Sequence, residues 1–314
     1  MPQTFCFLLL PGFSMMGLMS AIEPLRVANR FRGELYRWHL LSQDGTAVAA
    51  SNGMSLNVDA GLEPAQPMEA LFVVAGFEPL ASYDQRLAHW LQRREPELKV
   101  LGGIDTGSFV LAEAGLFQRQ RLTLHWEAID AFRERYPNLE VTQELFEIDG
   151  RRITSAGGTS SLDLMLSLIA QAHGEALAVQ VSEQFVVSRI RTRQDHQRMQ
   201  VASRYDLHNK KLVRVIGEME RHSEQPLPCE ALAERVGITM RQLERLFRHH
   251  LHSTPSAFYL GLRLDKARQL LRQSDLSVLE VSLACGFDSA SYFSRCYRKH
   301  FAASPSQDRH ERPA

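Results

Sequence analysis

The sequence predicts two domains of different fold class: an N-terminal α/β domain with a largely parallel sheet and an all-α C-terminal domain with two helix–turn–helix units. Residues 1–170 alternate short apolar runs with helical patterns, which is typical of α/β domains. Residues beyond about 210 are helical by pattern and contain an internal repeat. The length of 314 residues suits two domains rather than one.

The elements of the first domain follow in order along the chain. Strands are predicted at 5–10, 38–42, 71–75 and 99–104, and helices at 15–31, 84–94, 108–115, 127–136 and 160–173. Asp149-Gly150 lies between two further short apolar stretches and predicts a hairpin turn. From about 176 to 221 the pattern is helical and increasingly rich in arginine. We therefore expect a first domain at 1–190, a helical linker at 191–212 and a second domain at 213–312.

The C-terminal region repeats itself. The stretch Arg-His-His-Leu-His-Ser-Thr-Pro-Ser at 248–256 returns fifty positions later as Arg-Lys-His-Phe-Ala-Ala-Ser-Pro-Ser at 298–306. Upstream of each copy an Ala/Leu-rich stretch ends at a glycine, Gly237 in the first copy and Gly286 in the second. Two similar helices in one small domain are expected when both must face one long ligand, and DNA is such a ligand.

The first helix–turn–helix unit is predicted at about 230–250. Ala233 is a small residue where the helices cross, and Gly237 allows a positive φ in the turn. Leu243 and Leu246 form the inner face of the second helix. Thr239 and Gln242 fit a capping box that opens this helix. The outward positions, which suit base edges and phosphates, are Thr239, Arg241, Gln242 and Arg245.

The second unit is predicted at about 279–301. Ser282 takes the small position, Gly286 the turn, and Phe293 with Tyr297 the inner face. Asp288 is the expected N-cap. The outward positions are Ser289, Ser291, Ser294, Arg295 and Lys299. A helical pattern over 256–273 connects the two units, and reading helices held about 34 Å apart would enter successive major grooves on one face of a duplex.

The segment 284–305 carries a family resemblance. Ala-Cys-Gly-Phe-x-Ser-x-Ser-Tyr-Phe-Ser-Arg-x-Tyr-Arg-Lys-x-Phe-x-x-Ser-Pro resembles the signature of AraC/XylS-type regulators, and the resemblance extends over roughly 210–312. It implies two helix–turn–helix units bridged by one helix, promoter DNA and RNA polymerase as partners, and activation of transcription. Two positions depart from the family pattern: Ser282 replaces the usual alanine, and Asp308-Arg309 replaces the common Tyr-Arg.

The sharpest feature of the first domain is Gly103-Ile104-Asp105-Thr106-Gly107, between a predicted strand and a predicted helix. Glycine, any residue, a nucleophile, any residue and glycine in that setting form the pattern of a nucleophile elbow. The central residue here is aspartate instead of serine or cysteine. A carboxylate can act as a nucleophile. His125 is the one base that we identify, so the pattern favours a pocket that binds a ligand without converting it.

Several motifs of this domain resemble the PfpI-like, class I amidotransferase-like domain that precedes an AraC-type domain in one regulator subfamily. They surround Glu23, Asp105, His125 and Gly157-Gly158, and the resemblance covers about 4–185. It implies a flavodoxin-like parallel sheet. Enzymatic relatives carry a cysteine at the elbow with a histidine and a glutamate nearby. His125 and Glu23 are the counterparts here, and Asp105 removes the thiolate. We also expect the homodimer contact in this domain.

A ligand class follows from the residue types near the elbow. Acidic side chains beside aromatic rings suit a cation, because the ring faces add cation–π attraction. The proposed ligand residues are Asp105, Glu23, His125, Trp126 and Glu127. We hypothesise that the inducer is an amino acid, a quaternary amine or a similar nitrogenous metabolite, and the subfamily resemblance implies control of its catabolism. Simpler roles stay open: Glu127 as a helix N-terminal carboxylate, Trp126 as a core residue and His125 as a hydrogen-bonded turn residue.

The charge distribution agrees with this division of labour. Residues 1–184 hold 14 Lys/Arg against 22 Asp/Glu, and residues 185–314 hold 22 against 14, so a balance of −8 faces one of +8. A solvated basic surface would give the same numbers. Two alternatives to a ligand-responsive regulator remain: a hydrolase or amidotransferase with an accessory DNA-binding tail, and a constitutive DNA-binding protein whose first domain only dimerises. No cofactor or metal is expected.

Composition indicates a globular protein of the cytoplasm. Hydrophobic residues make up 44% and charged residues 23%, which argues against bulk disorder. No apolar run reaches the roughly 20 residues of a membrane span. The apolar start lacks a positively charged segment and predicts a buried strand, not a signal peptide. The four cysteines have no paired spacing and are expected to be reduced.

Overall fold

The computed structural model describes residues 2–63 and 68–310, except for the side chain of His310. The chain divides into two compact units, Met1–Gln197 and Arg198–Ala314. The first unit is an α/β fold and the second is helical, so the fold classes predicted for the two halves are confirmed.

The first unit has a six-stranded sheet and a small two-stranded one. The strands are β1 Gln3–Leu9, β2 Tyr36–Leu41, β3 Val48–Ala49, β4 Ser55–Leu56, β5 Ala70–Val74, β6 Val100–Ile104, β7 Phe146–Asp149 and β8 Arg152–Ser155. The helices are α1 Met15–Arg32, α2 Gln85–Arg94, α3 Gly107–Glu113, α4 Ile129–Arg135, α5 Ser160–His173 and α6 Glu175–Glu183. The elements correspond closely to the predicted ones, apart from β3 and β4, whose two-residue strands carry no detectable pattern.

The main sheet has the order β2-β1-β5-β6-β8-β7. All its pairs are parallel except β7–β8, which form the predicted hairpin. Every residue of β5 is buried, as expected for a central strand covered on both faces. Phe5, Phe7 and Phe72 stack on neighbouring strands with ring centroids 5.8 to 6.4 Å apart. The sheet therefore forms a rigid core whose carboxyl edge carries the loops after β1, β5 and β6.

The stretch expected to be a helical linker is helical only in part. From 184 to 200 the backbone forms turns and irregular segments, and helix resumes at Val201–Arg204 and Lys210–Arg221. The arginine-rich pattern was misleading because Arg191, Arg193 and Gln197 bond to the first unit instead of lining a helix. The first unit accordingly extends to Gln197, past the expected end at 190.

Every regular element in the described part of the second unit is a helix. The helices are α7 Val201–Arg204, α8 Lys210–Arg221, α9 Cys229–Arg235, α10 Met240–Leu251, α11 Pro255–Gln273, α12 Val278–Ala284, α13 Ala290–Phe301 and α14 Pro305–His310. Helix α11 lies between the pairs α9–α10 and α12–α13 in the chain and contacts α8, α10, α12, α13 and α14. Thr254 caps it by accepting from the amide of Ala257 at 3.2 Å, with Pro255 in the first turn. One long helix therefore supports both helix–turn–helix units.

Candidate functional site

The first helix–turn–helix unit is formed by α9 and α10. Gly237 in the turn has a φ of 66°, and Ala233 is buried where the helices meet. At the start of α10, the Thr239 hydroxyl accepts from the Gln242 amide at 3.2 Å. The Gln242 side chain in turn accepts from the Thr239 amide at 2.9 Å, which confirms the predicted capping box. The inner face consists of Leu243 and Phe247, while Leu246 is half-buried.

The predicted reading residues of α10 face solvent. Thr239, Arg241, Gln242 and Arg245 are exposed, and they line one surface depression together with Glu244, Arg248, His249 and His252. Three of the eight lining residues are arginines, and the helix is anchored by its buried inner face. Such a surface presents guanidinium groups that can bind base edges in a major groove through two hydrogen bonds, whereas the side-chain oxygen of Gln242 is engaged in the capping box.

The second helix–turn–helix unit is formed by α12 and α13, and one predicted detail of it was wrong. Ser282 is fully buried at the crossing, and Phe293 and Tyr297 form the inner face as expected. The N-cap is Ser289 instead of Asp288: the Ser289 hydroxyl accepts from the Tyr292 amide at 3.3 Å. The backbone is still extended at Ser289, with φ −138° and ψ 117°, so the helix begins one residue later than the spacing indicated.

The outward residues of α13 are less uniform than those of α10. Ser291, Arg295 and Lys299 are exposed, whereas Ser294 is half-buried. The hydroxyl of Ser289 is engaged in the helix cap. Arg295 lies over the ring of Tyr292, with 5.4 Å between the guanidinium carbon and the ring centroid. This helix presents three cations, Arg295, Arg298 and Lys299, together with small hydroxyl groups, a set suited to phosphate contacts.

Two side-chain clusters hold the second helix–turn–helix unit against α11. The sequence patterns did not identify them. Arg263 donates to the carbonyl oxygens of Cys285 and Gly286 at 2.8 and 2.5 Å, and its guanidinium lies 4.2 Å from the ring centroid of Phe287. The fully buried Asp308 forms the second cluster, whose other members are Arg268, Arg272 and Tyr297. The departure from the family pattern at 308 was the one sequence signal for it.

Asp105 occupies the elbow between β6 and α3. Its φ is 62°, a conformation that non-glycine residues rarely adopt. The flanking glycines are required by close packing: a Cβ on Gly103 would lie 2.7 Å from the Ser108 nitrogen, and one on Gly107 would lie 2.0 Å from the Val73 carbonyl oxygen. The Thr106 hydroxyl also donates to the carbonyl of Gly76. The elbow therefore has the tight geometry that the motif predicted, with a carboxylate at its tip.

The groups that act on the Asp105 carboxylate are Ser14 before α1, His125 and Glu127 after α3, and the Thr106 amide in the elbow itself. Burial raises the pKa of Asp105 from 3.8 to about 6. The charge of His125 and a hydrogen bond from Ser14 oppose this rise, whereas the negative charge of Glu127 adds to it. Above pH 6 the site therefore holds an ionised carboxylate in a poorly hydrated position, which a cation would stabilise.

Four of the five predicted ligand residues lie together. The backbone amide of His125 donates to the Asp105 carbonyl at 3.4 Å, and the rings of His125 and Trp126 have centroids 5.7 Å apart. Glu127 belongs to the same short 3-10 turn, Trp126–Ala128. Glu23 instead pairs with Arg26 on α1 at 2.7 Å and is not among the groups shown to act on Asp105.

Ser14 and Gly157 are residues of this site that the ligand prediction omitted. Ser14 caps α1, and its hydroxyl also bonds to Asp105. Gly157 packs so closely on Asp105 that a Cβ there would lie 2.5 Å from Oδ2. Within residues 2–63 and 68–310 no cluster of three or more His, Cys, Asp or Glu side chains could hold a metal ion. The helices of these same ranges are too short or too polar to cross a membrane.

Comparisons with known proteins agree with both halves. Residues 4–171 match the DJ-1/PfpI family and residues 232–311 match a helix-turn-helix domain family. The HTH-type transcriptional regulator CdhR of Pseudomonas aeruginosa is 71% identical over 98% of this chain and 92% of its own length. The regulator GbdR of the same species is 42% identical over 99% and 85%. GlxA of Rhizobium meliloti is 36% identical over 96% and 94%.

Two solved structures resemble parts of the chain. An AraC family transcriptional regulator from Pseudomonas putida superposes with a TM-score of 0.54 and 27% identity, over 59% of this chain and 100% of its own. A ThiJ/PfpI family protein from Pseudomonas syringae has the same TM-score at 17% identity, over 80% and 88%, and shows a shared fold. With its paired helix–turn–helix units and its DJ-1/PfpI fold, the chain belongs to the family of DNA-binding transcriptional regulators that join a DJ-1/PfpI domain to an AraC-type domain.

Proposed function

We propose that this regulator activates transcription when a small nitrogenous cation, an amino acid or a quaternary amine, binds at Asp105. The observation that carries the proposal is the elbow itself: an aspartate at φ 62° in the place where a nucleophile would stand. An ionised carboxylate held in a poorly hydrated site favours a cationic partner. The acidic elbow thus supports both the proposed binding site and the proposed positive charge of its ligand.

The aromatic neighbours support an ammonium group as the ligand. His125 and Trp126 have adjacent rings, and both are partly exposed. The face of an indole ring attracts cations by about 0.5 to 2 kcal/mol, more where the cation is desolvated. Glu127 adds a second carboxylate in the same 3-10 turn. Glu23 stays a proposed ligand residue, and its ion pair with Arg26 would have to open for the ligand.

The first unit is proposed to bind its ligand without chemical conversion. The backbone of the elbow is the one observation that favours the runner-up function, a hydrolase or amidotransferase, because the central residue has the positive φ of a nucleophile elbow. A carboxylate is a weaker nucleophile than a thiolate, and its charge at neutral pH is better used for binding. Steady turnover of amide or ester substrates by the purified protein, lost in Asp105→Asn, would favour the enzyme instead.

The second unit is proposed to divide its DNA contacts between its two reading helices. Arg241, Gln242 and Arg245 are exposed at the beginning of α10 and suit base edges. Arg295 and Lys299 with the serines of α13 suit phosphates. Activation in the cytoplasm, contact with RNA polymerase, and a homodimer formed through the first unit complete the proposal. The sensor domain would be the first unit, which ends at Gln197, and the DNA-binding domain would lie in the second, at 213–312.

A calorimetric titration of the full chain tests the ligand proposal. Tetramethylammonium and L-lysine serve as probes, with sodium chloride at equal ionic strength as the blank. We expect saturable binding of at least one probe to the wild type and its loss in Asp105→Asn. Glu134→Gln makes the same carboxylate-to-amide change at an exposed position of the same unit and should bind like the wild type. The proposal is contradicted if a probe still binds to Asp105→Asn, or if neither probe binds to the wild type.

A further inference from the structure

The segment Arg189–Gln197, which we call the strap, connects the first unit to the second. It has no helix or strand of its own and begins six residues after α6 ends at Glu183. An internal clip stiffens it: Arg189 donates to both Asp195 oxygens at 3.0 and 2.5 Å, and the Thr192 amide donates to Asp195 at 2.7 Å. The next residue, Arg198, begins the second unit.

The beginning of the strap is bound beside one wall of the Asp105 site. Arg191 donates to Asp163 from its backbone amide and from two guanidinium nitrogens, at 2.9, 2.9 and 2.6 Å. The guanidinium also donates to Thr159 at 2.8 Å. Asp163 is buried, so these charge-assisted hydrogen bonds are poorly screened. Thr159 and Asp163 belong to the turn and helix that directly follow Gly157, the residue packed on the Asp105 carboxylate.

The end of the strap is bound to the segment that precedes His125. The side-chain amide of Gln197 donates to the Thr123 hydroxyl at 3.0 Å and to the carbonyls of Leu124 and Glu144 at 3.1 and 2.8 Å. Thr123 and Leu124 directly precede His125, whose amide donates to the Asp105 carbonyl. The strap is thus hydrogen-bonded to residues one and two positions before His125, a residue that acts on Asp105.

The middle of the strap is attached by its backbone and by one arginine. The carbonyl of Arg193 accepts from the Leu145 amide at 3.1 Å. The Arg193 guanidinium donates to the buried Glu147 at 3.2 Å. The attachments therefore run along the whole strap, and its two ends are bound next to two segments that contact Asp105, those of Gly157 and His125.

We propose that the strap carries the ligand signal from Asp105 to the DNA-binding unit, with Arg191 and Gln197 as positioning residues. This inference rests on the proposed sensing function. A ligand that moves the His125 and Gly157 segments changes the geometry of the acceptors that hold Gln197 and Arg191. The engaged and released forms of the strap are the two states whose balance the ligand shifts. Arg198 follows the strap directly in the chain. Release of the strap therefore also releases the segment that leads into the second unit.

A double-mutant cycle on the full chain tests the strap. The affinity for a duplex that the wild type selects from a random pool is measured by fluorescence anisotropy. Asp105→Asn is introduced alone and together with Gln197→Met, which keeps the side-chain length and removes the amide donor. Gln194→Met is the matched control, because Gln194 is an exposed residue of the same strap. Arg191→Lys provides a second strap variant that keeps the charge and loses the bidentate geometry.

We expect Asp105→Asn to change the duplex affinity by about fivefold or more in the wild-type and Gln194→Met backgrounds. In the Gln197→Met and Arg191→Lys backgrounds the change should fall below about twofold, since the connection is already broken. Equal changes in all four backgrounds, or no change in any of them, overturn the strap proposal.

The calorimetric titration separates this outcome from failure of the proposed function. A probe that binds the wild type and Gln197→Met alike, combined with equal changes in all backgrounds, rejects the strap and leaves ligand sensing in place. Failure of both probes to bind the wild type rejects the ligand class, whereas the mutant cycle still tests the strap through the Asp105 substitution itself.

Discussion

Gly157 lies directly against the side chain of Asp105. A Cβ on Gly157 would come within 2.5 Å of the Oδ2 atom and 2.7 Å of the Asp105 Cβ, and Gly157 also has a φ of 80°. The loop after β8 therefore determines where the elbow carboxylate is held. This contact links the second glycine-rich motif of the first unit to the elbow motif.

Gly157→Ala should displace the carboxylate and weaken ligand binding. We expect the affinity of the full chain for the bound probe to fall tenfold or more, equivalent to about 1.4 kcal/mol. Gly158→Ala is the matched control, because Gly158 also has a positive φ of 54° but has open space where the methyl group would go. The Gly158→Ala variant should lose only about 1 to 2 kcal/mol of stability, the cost of the backbone strain, and should keep its affinity for the probe. Equal losses of probe affinity in the two calorimetric titrations would contradict the contact's role.

Asp105→Asn should stabilise the first unit in a pH-dependent way. The folded-state pKa of Asp105, about 6, lies above the ordinary value of 3.8, so folding favours the protonated form. Its contribution to the free energy of unfolding therefore decreases as the pH rises from about 4 to 6, by on the order of 3 kcal/mol. Thermal unfolding at pH 4, 6 and 8 should show the asparagine variant gaining over the wild type across that window. A gain that does not depend on pH would refute the assignment.

Gly286→Ala should damage the second helix–turn–helix unit more than Gly237→Ala damages the first. Both glycines have a positive φ, 71° and 66°. A Cβ on Gly286 would lie 2.6 Å from Pro226 Cδ and 2.7 Å from the Glu224 carbonyl oxygen, whereas nothing lies within 4 Å at Gly237. We expect about 1 to 2 kcal/mol from strain alone at Gly237 and a clearly larger loss at Gly286. Urea unfolding of the two variants measures the difference, and equal losses would speak against the close packing.

Asp308→Ala should cost about 1.5 to 3 kcal/mol of stability, because it removes a buried carboxylate that accepts from Tyr297 and pairs with two partly exposed arginines. Burial on its own raises the pKa of Asp308, but hydrogen bonds from Tyr297, Arg272 and Arg268 bring the pKa below its ordinary value. The exposed Ser306→Ala in the same helix should change stability by less than about 0.5 kcal/mol. Near-equal denaturation midpoints of the two variants would show that the Asp308 cluster does not stabilise the fold.

The two reading helices should respond differently to alanine. Arg241→Ala or Arg245→Ala should cost about 1 to 3 kcal/mol on the selected duplex and relax sequence preference. Lys299→Ala should weaken binding to all duplexes alike and reduce the salt dependence by about one counterion. A panel of single-base variants of the duplex, titrated at several salt concentrations, distinguishes these outcomes. The reverse assignment of effects would invert the proposed division.

Local sequence signals predicted most of the fold and part of the site. Some residue types predict a turn or a cap by their own chemistry, as Gly237, Gly286 and Thr239 do. The elbow around Asp105 is predicted by its flanking glycines. These features depend on neighbouring residues, so their spacing carries the information. The exact cap of α13 was one residue off, because both Asp288 and Ser289 can cap a helix and the length of the turn decides between them.

Long-range contacts could not be predicted in this way. Arg191 resembles any arginine of a basic helix until Asp163, 28 positions earlier, is placed beside it. Asp308 similarly becomes a buried ionic centre only when α11 and α13 bring their arginines and tyrosine to it. The pairing of Glu23 with Arg26 also shows that an acidic residue predicted to bind a ligand can instead be paired with a neighbour on its own helix.

One titration tests the central claim, that a cation at Asp105 controls DNA binding by the second unit. The affinity of the full chain for the selected duplex is measured at pH 7.5 with tetramethylammonium, with L-lysine and with sodium chloride at equal ionic strength. We expect at least one probe to shift the affinity of the wild type and of Glu134→Gln, and neither to shift that of Asp105→Asn. A shift of the same size in Asp105→Asn, or no shift in the wild type, would contradict the claim.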